Sequence, residues 1–280
     1  MFDMVSTIQL KPSPLLQPYV SCYALREFDS KTGLPRPQYA QPEYYLSFFL
    51  RKDKYCNLID ESGKFHRNLS NSLVTSITEY CGYIYFKGNF LILSVVFKGN
   101  GLFAVFGIPQ KNLLNEILPV EDILGNDSRL LTEQLESSKD VYEMASHLNT
   151  YLIKKFLSRK QKYYTTTIAA VSNSILRSKG DASIDKLALD SNMGLRNFER
   201  RFINEIGMPA KLYMRVTRFY NAIQDKMLEP EKSWTDITYE HGYYDQSHFI
   251  KDCREFSSRS PEELFKYVPP PTEKFRELEA

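Results

Sequence analysis

The sequence predicts an α+β protein of two domains, with a β-rich N-terminal barrel or sandwich flanked by helices and an all-helical C-terminal domain. The chain has 280 residues, more than one domain of common size needs and enough for two separate cores. Aromatic and β-branched residues between turn residues dominate residues 38–106, which is typical of strands. Residues 168–268 instead carry apolar side chains at helical spacing.

The β-rich half is clearest in residues 82–106. There Gly88-Asn89 and Gly99-Asn100-Gly101 separate apolar runs, as hairpin turns do. We therefore expect a β-meander in this stretch, as part of a small barrel or sandwich.

Two helices are expected after this β region, with Asp127 and Ser138 as N-caps. The second helix carries an apolar stripe at intervals of four residues, which suits packing within its own domain or a dimer seam, and the sequence leaves both open. The stripe consists of Met144, Leu148, Leu152 and Phe156.

A polar segment, residues 159–167, is typical of a linker between the halves. Three consecutive prolines, Pro269 to Pro271, end the helical part because proline cannot continue a helix. We therefore expect an N-terminal domain at residues 1–160, a C-terminal domain at 161–268 and a charged tail at 269–280.

A weak internal repeat organises the C-terminal domain. An N-capping serine, a short helix, a turn and a longer helix begin at Ser183 and again, about fifty positions later, at Ser233. Each copy has the parts of a helix-turn-helix unit. The segment Pro209 to Leu228 between them predicts a helix about 30 Å long, close to the roughly 34 Å repeat of DNA.

The second helix of each copy has an apolar face and a polar face. The apolar faces hold Leu195, Phe198, Phe202 and Ile206 in the first copy and Phe249, Cys253 and Phe256 in the second. The opposite faces carry side chains that can contact base edges and phosphates. These candidate DNA contacts are Arg196, Asn197, Arg200, Arg201 and Asn204 in the first copy, and Gln246, Ser247, Ile250, Lys251 and Arg254 in the second.

About 100 residues of this region resemble the DNA-binding domain of the AraC/XylS family. The resemblance rests on Leu187-Ala188, Arg200-x-Phe202, Gly207, Tyr213, Arg218 and Ala222, and then on Ile237, Gly242-Tyr243-Tyr244-Asp245-Gln246-Ser247-His248-Phe249 and Ser260-Pro261. It implies a bacterial transcription regulator, an activator rather than a repressor, with double-stranded DNA and RNA polymerase as partners.

Several positions depart from the family pattern, among them Thr238, which stands where a small alanine is common. Gly194 replaces the usual serine cap of the first recognition helix, which costs only a few tenths of a kcal/mol. Cys253 stands where an aromatic residue is usual and fills less of the core. Ser258 stands in a turn that usually contains glycine, so we expect it to need a positive φ.

The N-terminal half is similar to the cupin-like sensor regions that precede such domains, which implies effector binding or dimerisation. The similarity rests on the central β region together with Pro14-Leu15-Leu16-Gln17-Pro18-Tyr19-Val20 and Val96-Phe97-Lys98-Gly99 through Phe106-Gly107-Ile108-Pro109. Its tyrosines could line a mixed polar and apolar effector pocket, or could be core rings of a dimerisation or protein-docking module. Both alternatives stay open here. The candidate effector residues are Tyr39, Tyr44, Tyr83 and Tyr85.

Other classes of function are disfavoured. An enzyme of the metal-dependent cupin type needs several converging ligands, yet His66 is the only histidine in the β region. A DNA-repair methyl acceptor needs clustered thiolates, which Cys22, Cys56 and Cys81 are too widely spaced to supply. We expect no catalysis, metal, cofactor or membrane span, and a cytoplasmic location.

The net charge of +2 by itself does not indicate a nucleic-acid binder. The local distribution of charge does indicate one, because residues 194–218 hold six basic side chains against two acidic ones.

Overall fold

The computed structural model describes residues 5–52, 55–60, 65–66, 72–75, 82–159, 165–267 and 273–278. It confirms the α+β class: one sheet is built mainly from the N-terminal half, and residues 165–267 are mainly helical. The strands are β1 (Val5–Leu10), β2 (Val20–Gln38), β3 (Tyr44–Lys52), β4 (Tyr55–Asp60), β5 (Phe65–His66), β6 (Ser72–Thr75), β7 (Gly82–Phe97), β8 (Ile117–Pro119) and β9 (Glu273–Leu278). The helices are α1 (Gly101–Phe106), α2 (Val120–Leu124), α3 (Asp127–Glu136), α4 (Val141–Ser158), α5 (Thr165–Arg177), α6 (Ile184–Asp190), α7 (Leu195–Ile206), α8 (Ala210–Leu228), α9 (Trp234–Glu240), α10 (Gln246–Ser257) and α11 (Pro261–Tyr267), with a 3-10 turn at Gln110–Asn112.

The long antiparallel pair β2 and β7 forms the middle of the sheet. The strand order is β8-β6-β3-β7-β2-β1-β9, and β4 joins β5 to the first half of β7. Strand β3 pairs with the second half of β7. Because β7 is long enough to pair with two strands along one edge, the expected run of short strands is replaced by two long ones.

The expected turn at Gly88-Asn89 is wrong. Both residues lie inside β7 and pair with Ser30 and Asp29 of β2. Gly88 has a φ of +114°, and the register of β2 shifts between Ser30 and Leu34. The glycine therefore accommodates an irregularity within the ladder instead of reversing the chain.

The meander also ends earlier than expected, because residues 101–106 form helix α1 and not a strand. Leu102, Ala104 and Val105 are all buried. A short apolar run of this kind fits a buried strand or a buried helix equally well, and periodicity cannot separate the two.

The expected helix caps shift by a few residues. Helix α3 begins at Asp127 itself, with Asn126 in the cap position. Helix α4 is capped by Asp140, whose carboxylate accepts from the backbone N–H groups of Tyr142 and Glu143, 2.9 Å each. Ser138 instead donates to the carbonyl of Gln134.

The apolar stripe of α4 packs inside the chain. Met144, Leu148, Leu152 and Phe156 are all buried in the main core. A dimer seam made by this stripe is therefore excluded.

The C-terminal tail returns to the N-terminal sheet. Strand β9 pairs in parallel with β1, from Glu273 opposite Val5 to Leu278 opposite Leu10. The tail therefore covers an edge of the sheet, a backbone surface that unpaired strands leave open.

One continuous apolar core joins the two halves. It runs from Leu10 and Tyr44 in the sheet region to Phe202, Phe219 and Phe256 in the helical region. The expected boundary between residues 160 and 161 lies outside the described residues.

Candidate nucleic-acid interface

Two helix-turn-helix units are present, joined by α8. The first consists of α6 and α7, and the second of α9 and α10. Ser183 caps α6 by accepting from Lys186 N at 3.4 Å, and Ser233 caps α9 by accepting from Asp236 N at 3.1 Å. Both caps confirm the sequence prediction and satisfy backbone donors that a helix start leaves unpaired.

The recognition helices begin differently. Asp245 caps α10, and its carboxylate accepts from His248 N at 2.8 Å. Gly194 caps α7 with no side-chain hydrogen bond. The second recognition helix is therefore the better capped of the two.

Helix α7 presents Arg196, Asn197 and Arg200 to solvent. Arg200 donates to the Asn197 Oδ1 at 2.9 Å, so these two side chains form one exposed polar unit. Asn204 is half-buried. Leu195, expected inside, is 46% exposed, because it occupies the first turn of the helix, ahead of the buried Phe198.

Arg201 differs from the other expected contacts on α7. Its guanidinium is held in an ion pair with Glu205, one turn later, at 2.8 Å. The side chain of Glu205 is 4% exposed. Arg201 is thus directed toward the protein by a buried carboxylate.

Helix α10 presents a second polar face. Gln246, Ser247, Lys251 and Arg254 are exposed and Ile250 is half-buried. The Gln246 amide donates to Thr235 Oγ1 of α9 at 2.5 Å, which orients its side chain at the start of the helix.

The β-rich half holds the end of α7. The Tyr44 hydroxyl donates to the carbonyl of Ile206 at 3.0 Å, and the Asn100 amide donates to the Glu205 carboxylate at 3.2 Å. Gly207 follows with a φ of +98°, and a Cβ there would lie 2.7 Å from the Tyr44 hydroxyl oxygen. Glycine is needed here for both conformation and space.

Burial of the carboxyl raises the pKa of Glu205 above its usual range, whereas hydrogen bonds from Arg201 and Asn100 and the charges of Arg201 and Arg159 act in the opposite direction. Asn100 and Arg159 come from outside the first unit. The charge state of this carboxyl therefore depends on contacts that cross between the two halves.

Helix α8 holds α10 through a second ionic cluster. The Arg215 guanidinium donates to Asp252 Oδ1 at 2.6 Å and to both carboxylate oxygens of Glu255, at 3.0 and 2.6 Å. The hydrogen bond from Arg215 lowers the pKa of Glu255, which keeps that carboxylate charged. Tyr243 adds a 3.3 Å hydrogen bond to the other oxygen of Asp252.

A third cluster fixes α9 on the end of α8. Asp225 accepts from Lys232 at 3.1 Å and lies 3.2 Å from Nε2 of the buried His241. Burial lowers the pKa of His241, although its contact with Asp225 opposes this.

The four candidate effector tyrosines do not share one pocket. Tyr44 reaches Ile206, and Tyr39 packs edge-on against the ring of Phe219. Tyr85 packs against Gly33 near the opposite end of β7, and the side chain of Tyr83 lies outside the described residues. Tyr44 of β3 is paired with Phe97 at the end of β7. Up to about 40 Å of strand therefore separates Tyr44 from Tyr85.

A groove of about 560 Å³ runs along α4 and is lined by Ser13, Tyr142, Ser146, Asn149 and Ile153, among others. It includes none of the candidate tyrosines. In the described part of the chain no cluster of histidine, cysteine, aspartate and glutamate could hold a metal ion. No helix there combines the length and apolar character that crossing a membrane requires.

Sequence reasoning missed the roles of Asn100, Glu205 and Arg215. Glu205 carried a signal, since a carboxylate on the same helix face as Phe202 and Ile206 must find partners once buried. Asp252, beside Cys253 on the inner side of α10, carried the same signal. Neither position on the helix could identify the residue that pairs with the buried carboxylate.

Residues 187–267 match a helix-turn-helix domain family. A search of curated protein sequences finds no significant match.

Three solved structures are similar to this chain at low sequence identity and low TM-score. ToxT from Vibrio cholerae is 10% identical, covers 89% of this chain and 98% of its own, and gives a TM-score of 0.45. ToxT from the same organism with a bound unsaturated fatty acid is 12% identical, with coverage of 88% and 95% and a TM-score of 0.44. The AraC-like transcriptional activator CuxR is 12% identical, with coverage of 71% and 76% and a TM-score of 0.30.

Proposed function

We propose that the chain is a DNA-binding transcription regulator of the AraC/XylS type that docks α7 and α10 in successive major-groove segments of one duplex. Both helices lie within residues 187–267, which match a helix-turn-helix domain family. The observation that carries this proposal is the pair of exposed polar faces joined by α8. That helix has 19 residues, or about 28 Å at 1.5 Å per residue. This length is close to one turn of DNA, about 34 Å.

The proposed contacts are those that the structure leaves accessible. On α7 they are Arg196, Asn197 and Arg200, and on α10 they are Gln246, Ser247, Ile250, Lys251 and Arg254. Arg201 and Asn204 contribute less, because the first is paired with Glu205 and the second is half-buried.

Selection of bound fragments from random duplexes by the purified full-length protein tests this proposal. We expect one asymmetric motif of about two helical turns, since each unit reads its own groove. Recovery of no motif at any salt concentration would contradict sequence-specific binding. A short motif of one half-site would contradict docking of both helices.

Two substitutions assign the halves of that motif. Arg200→Ala and Gln246→Ala should each cost about 1–3 kcal/mol if the side chain contacts a base, and should relax specificity in one half only. Arg129→Ala, on the exposed surface of α3, is the control. Unchanged binding by both recognition-helix variants at fixed salt would show that the helices are placed wrongly.

We further propose that the N-terminal half modulates α7 directly. Asn100 donates to the carboxylate that holds Arg201, and Tyr44 donates to the last carbonyl of α7. A shift of the β-rich half therefore moves groups bonded to the first recognition helix. Asn100→Ala should alter affinity for the α7 half-site while leaving the α10 half-site unchanged.

Activation is the regulatory effect that the family resemblance implies, with RNA polymerase as partner. Transcription in vitro from a promoter carrying the selected motif tests it, because an activator raises the transcript yield and a repressor lowers it.

A small-molecule effector and a homodimer are separate proposals. A ligand-dependent rise in melting temperature would support an effector, whereas a docking module without effector shows no such rise. Sedimentation velocity would test the homodimer.

A further inference from the structure

We infer that Arg215 is the positioning residue of the second recognition helix: it fixes α10 against the linker helix α8 and neutralises the two carboxylates that α10 carries. The inference rests on the proposed function, since it concerns how α10 is presented to DNA.

The hydrogen bonds of Arg215 have a geometry that restricts the orientation of α10. Arg215 binds Glu255 through two nitrogens and shares one of them with Asp252, so three hydrogen bonds join one residue of α8 to two residues of α10. The guanidinium carbon also lies 5.0 Å from the centre of the Phe256 ring. A planar fork held at several points resists rotation of its partner helix more than a single ammonium contact does.

Burial makes this pairing necessary. The side chain of Asp252 is 10% exposed, and the other hydrogen bond to its carboxylate comes from Tyr243. A carboxylate so far removed from water is unfavourable unless it is paired. Without Arg215, Asp252 keeps only the hydrogen bond from Tyr243, so we expect α10 to shift toward an arrangement in which this carboxylate reaches solvent.

The charges on α10 give a second reason why its carboxylates need a partner. Glu255 directly follows Arg254, a proposed DNA contact, and follows Lys251 by one helical turn. Two unpaired carboxylates on this helix would oppose the approach of phosphates. The equivalent positions of α7, 51 residues earlier, are Arg201 and Asn204, so α7 carries no carboxylate there. The buried carboxylate that α7 does carry, Glu205, is paired within its own helix by Arg201.

Helix α8 offers a matched control. Lys211 lies one turn before Arg215, is exposed, and carries the same charge. Lys211→Met and Arg215→Met therefore change the net charge equally, and only the second breaks the cluster. Arg215→Lys keeps the charge and removes the fork. The triple variant Arg215→Met, Asp252→Asn, Glu255→Gln removes the carboxylates that need pairing.

The experiment measures hydroxyl-radical protection of the selected duplex, affinity at fixed salt, and hydrogen exchange of the DNA-free protein for these four variants. Arg215→Met should lose protection of the α10 half-site, keep that of the α7 half-site, and bind about tenfold more weakly. Its α10 amides should exchange faster while α7 amides are unchanged. Arg215→Lys should be intermediate, Lys211→Met should bind within about twofold of the wild type, and the triple variant should regain affinity.

Normal protection and normal α10 exchange in Arg215→Met would overturn the inference. Equal losses in Lys211→Met and Arg215→Met would overturn it as well, because the effect would then be one of net charge. If the triple variant stays as weak as Arg215→Met, the neutralising role is wrong. If the wild-type protein protects no specific site, the proposed function fails, and hydrogen exchange alone still decides whether Arg215 holds α10.

Discussion

The two helix-turn-helix units are built alike but are supported by different parts of the molecule. Their recognition helices both have 12 residues, and both end in a residue of left-handed backbone. The first unit is held by the β-rich half, through Tyr44 and Asn100. The second is held by α8, through Arg215 and Asp225, and the β-rich half adds one backbone hydrogen bond, from Ala40 N to the carbonyl of Phe256 at 3.0 Å.

This difference bears on the proposed modulation. A helix-turn-helix unit is too small to bury all its polar groups by itself, so it takes partners from its surroundings. Under that proposal, a movement of the β-rich half would reach α7 through the side chains of Tyr44 and Asn100, and α10 through one backbone hydrogen bond from Ala40. The two copies of the motif would then be coupled to the N-terminal half by different contacts.

The largest expected difference lies in the cores. Phe202 of α7 is fully buried and packs edge-on against the ring of Tyr213, whereas its counterpart in α10 is the smaller Cys253. Phe202→Ala should lower the free energy of unfolding by about 3–5 kcal/mol. Cys253→Ala should lower it by about 1 kcal/mol, because little volume is lost. Urea denaturation followed by circular dichroism measures both, and equal losses would contradict the difference in packing.

The helix ends give the next largest effect. Gly207→Ser puts a side chain at a φ of +98° and 2.7 Å from the Tyr44 hydroxyl, and should cost about 2 kcal/mol. The reverse exchange at the equivalent end, Ser258→Gly, relieves a φ of +55° and should stabilise the protein by about 0.5 kcal/mol. Opposite signs of the two shifts in melting temperature are expected. A loss of stability in Ser258→Gly would show that its side chain matters more than its backbone.

Substitutions at the N-caps of the two recognition helices should have a smaller effect on stability. Asp245→Ala removes the hydrogen bond to His248 N and should cost about 1 kcal/mol. Gly194→Asp supplies the missing cap of α7 and should gain a few tenths of a kcal/mol. Chemical denaturation detects both. The comparison of the caps is wrong if Gly194→Asp destabilises the protein.

The smallest expected effect is on pH dependence. The first helix of the second unit ends at the buried His241, whereas the equivalent residue of the first unit is Ser191. Because burial lowers the pKa of His241, protonation favours the unfolded chain, so stability should fall as pH decreases below about 6.5. His241→Ser should flatten the melting temperature between about pH 7.5 and 5.5 relative to the wild type. An unchanged slope would assign the acid sensitivity to other groups.

Much of the C-terminal half could be predicted from the sequence, because the features that specify it are local. The serine caps at Ser183 and Ser233, the long helix ending at Leu228, and the apolar faces of α7 and α10 all rest on residues within a few positions of one another. The positive φ of Ser258 also followed from its place in the turn. The β-rich half was less predictable, since a glycine such as Gly88 serves a turn or an irregular strand equally well.

By itself, the sequence determined the fold class, the two helix-turn-helix units and the polar faces of α7 and α10, since helical periodicity and capping operate within one or two turns. Only the tertiary structure decided which of those side chains are free. Arg201 is paired with the buried Glu205, and Arg215 is paired with Asp252 of α10. The Tyr44 hydroxyl donates to the carbonyl of Ile206, 162 positions away in the chain. These contacts join residues whose separation no local pattern records, and the burial that makes them necessary exists only after the chain has folded.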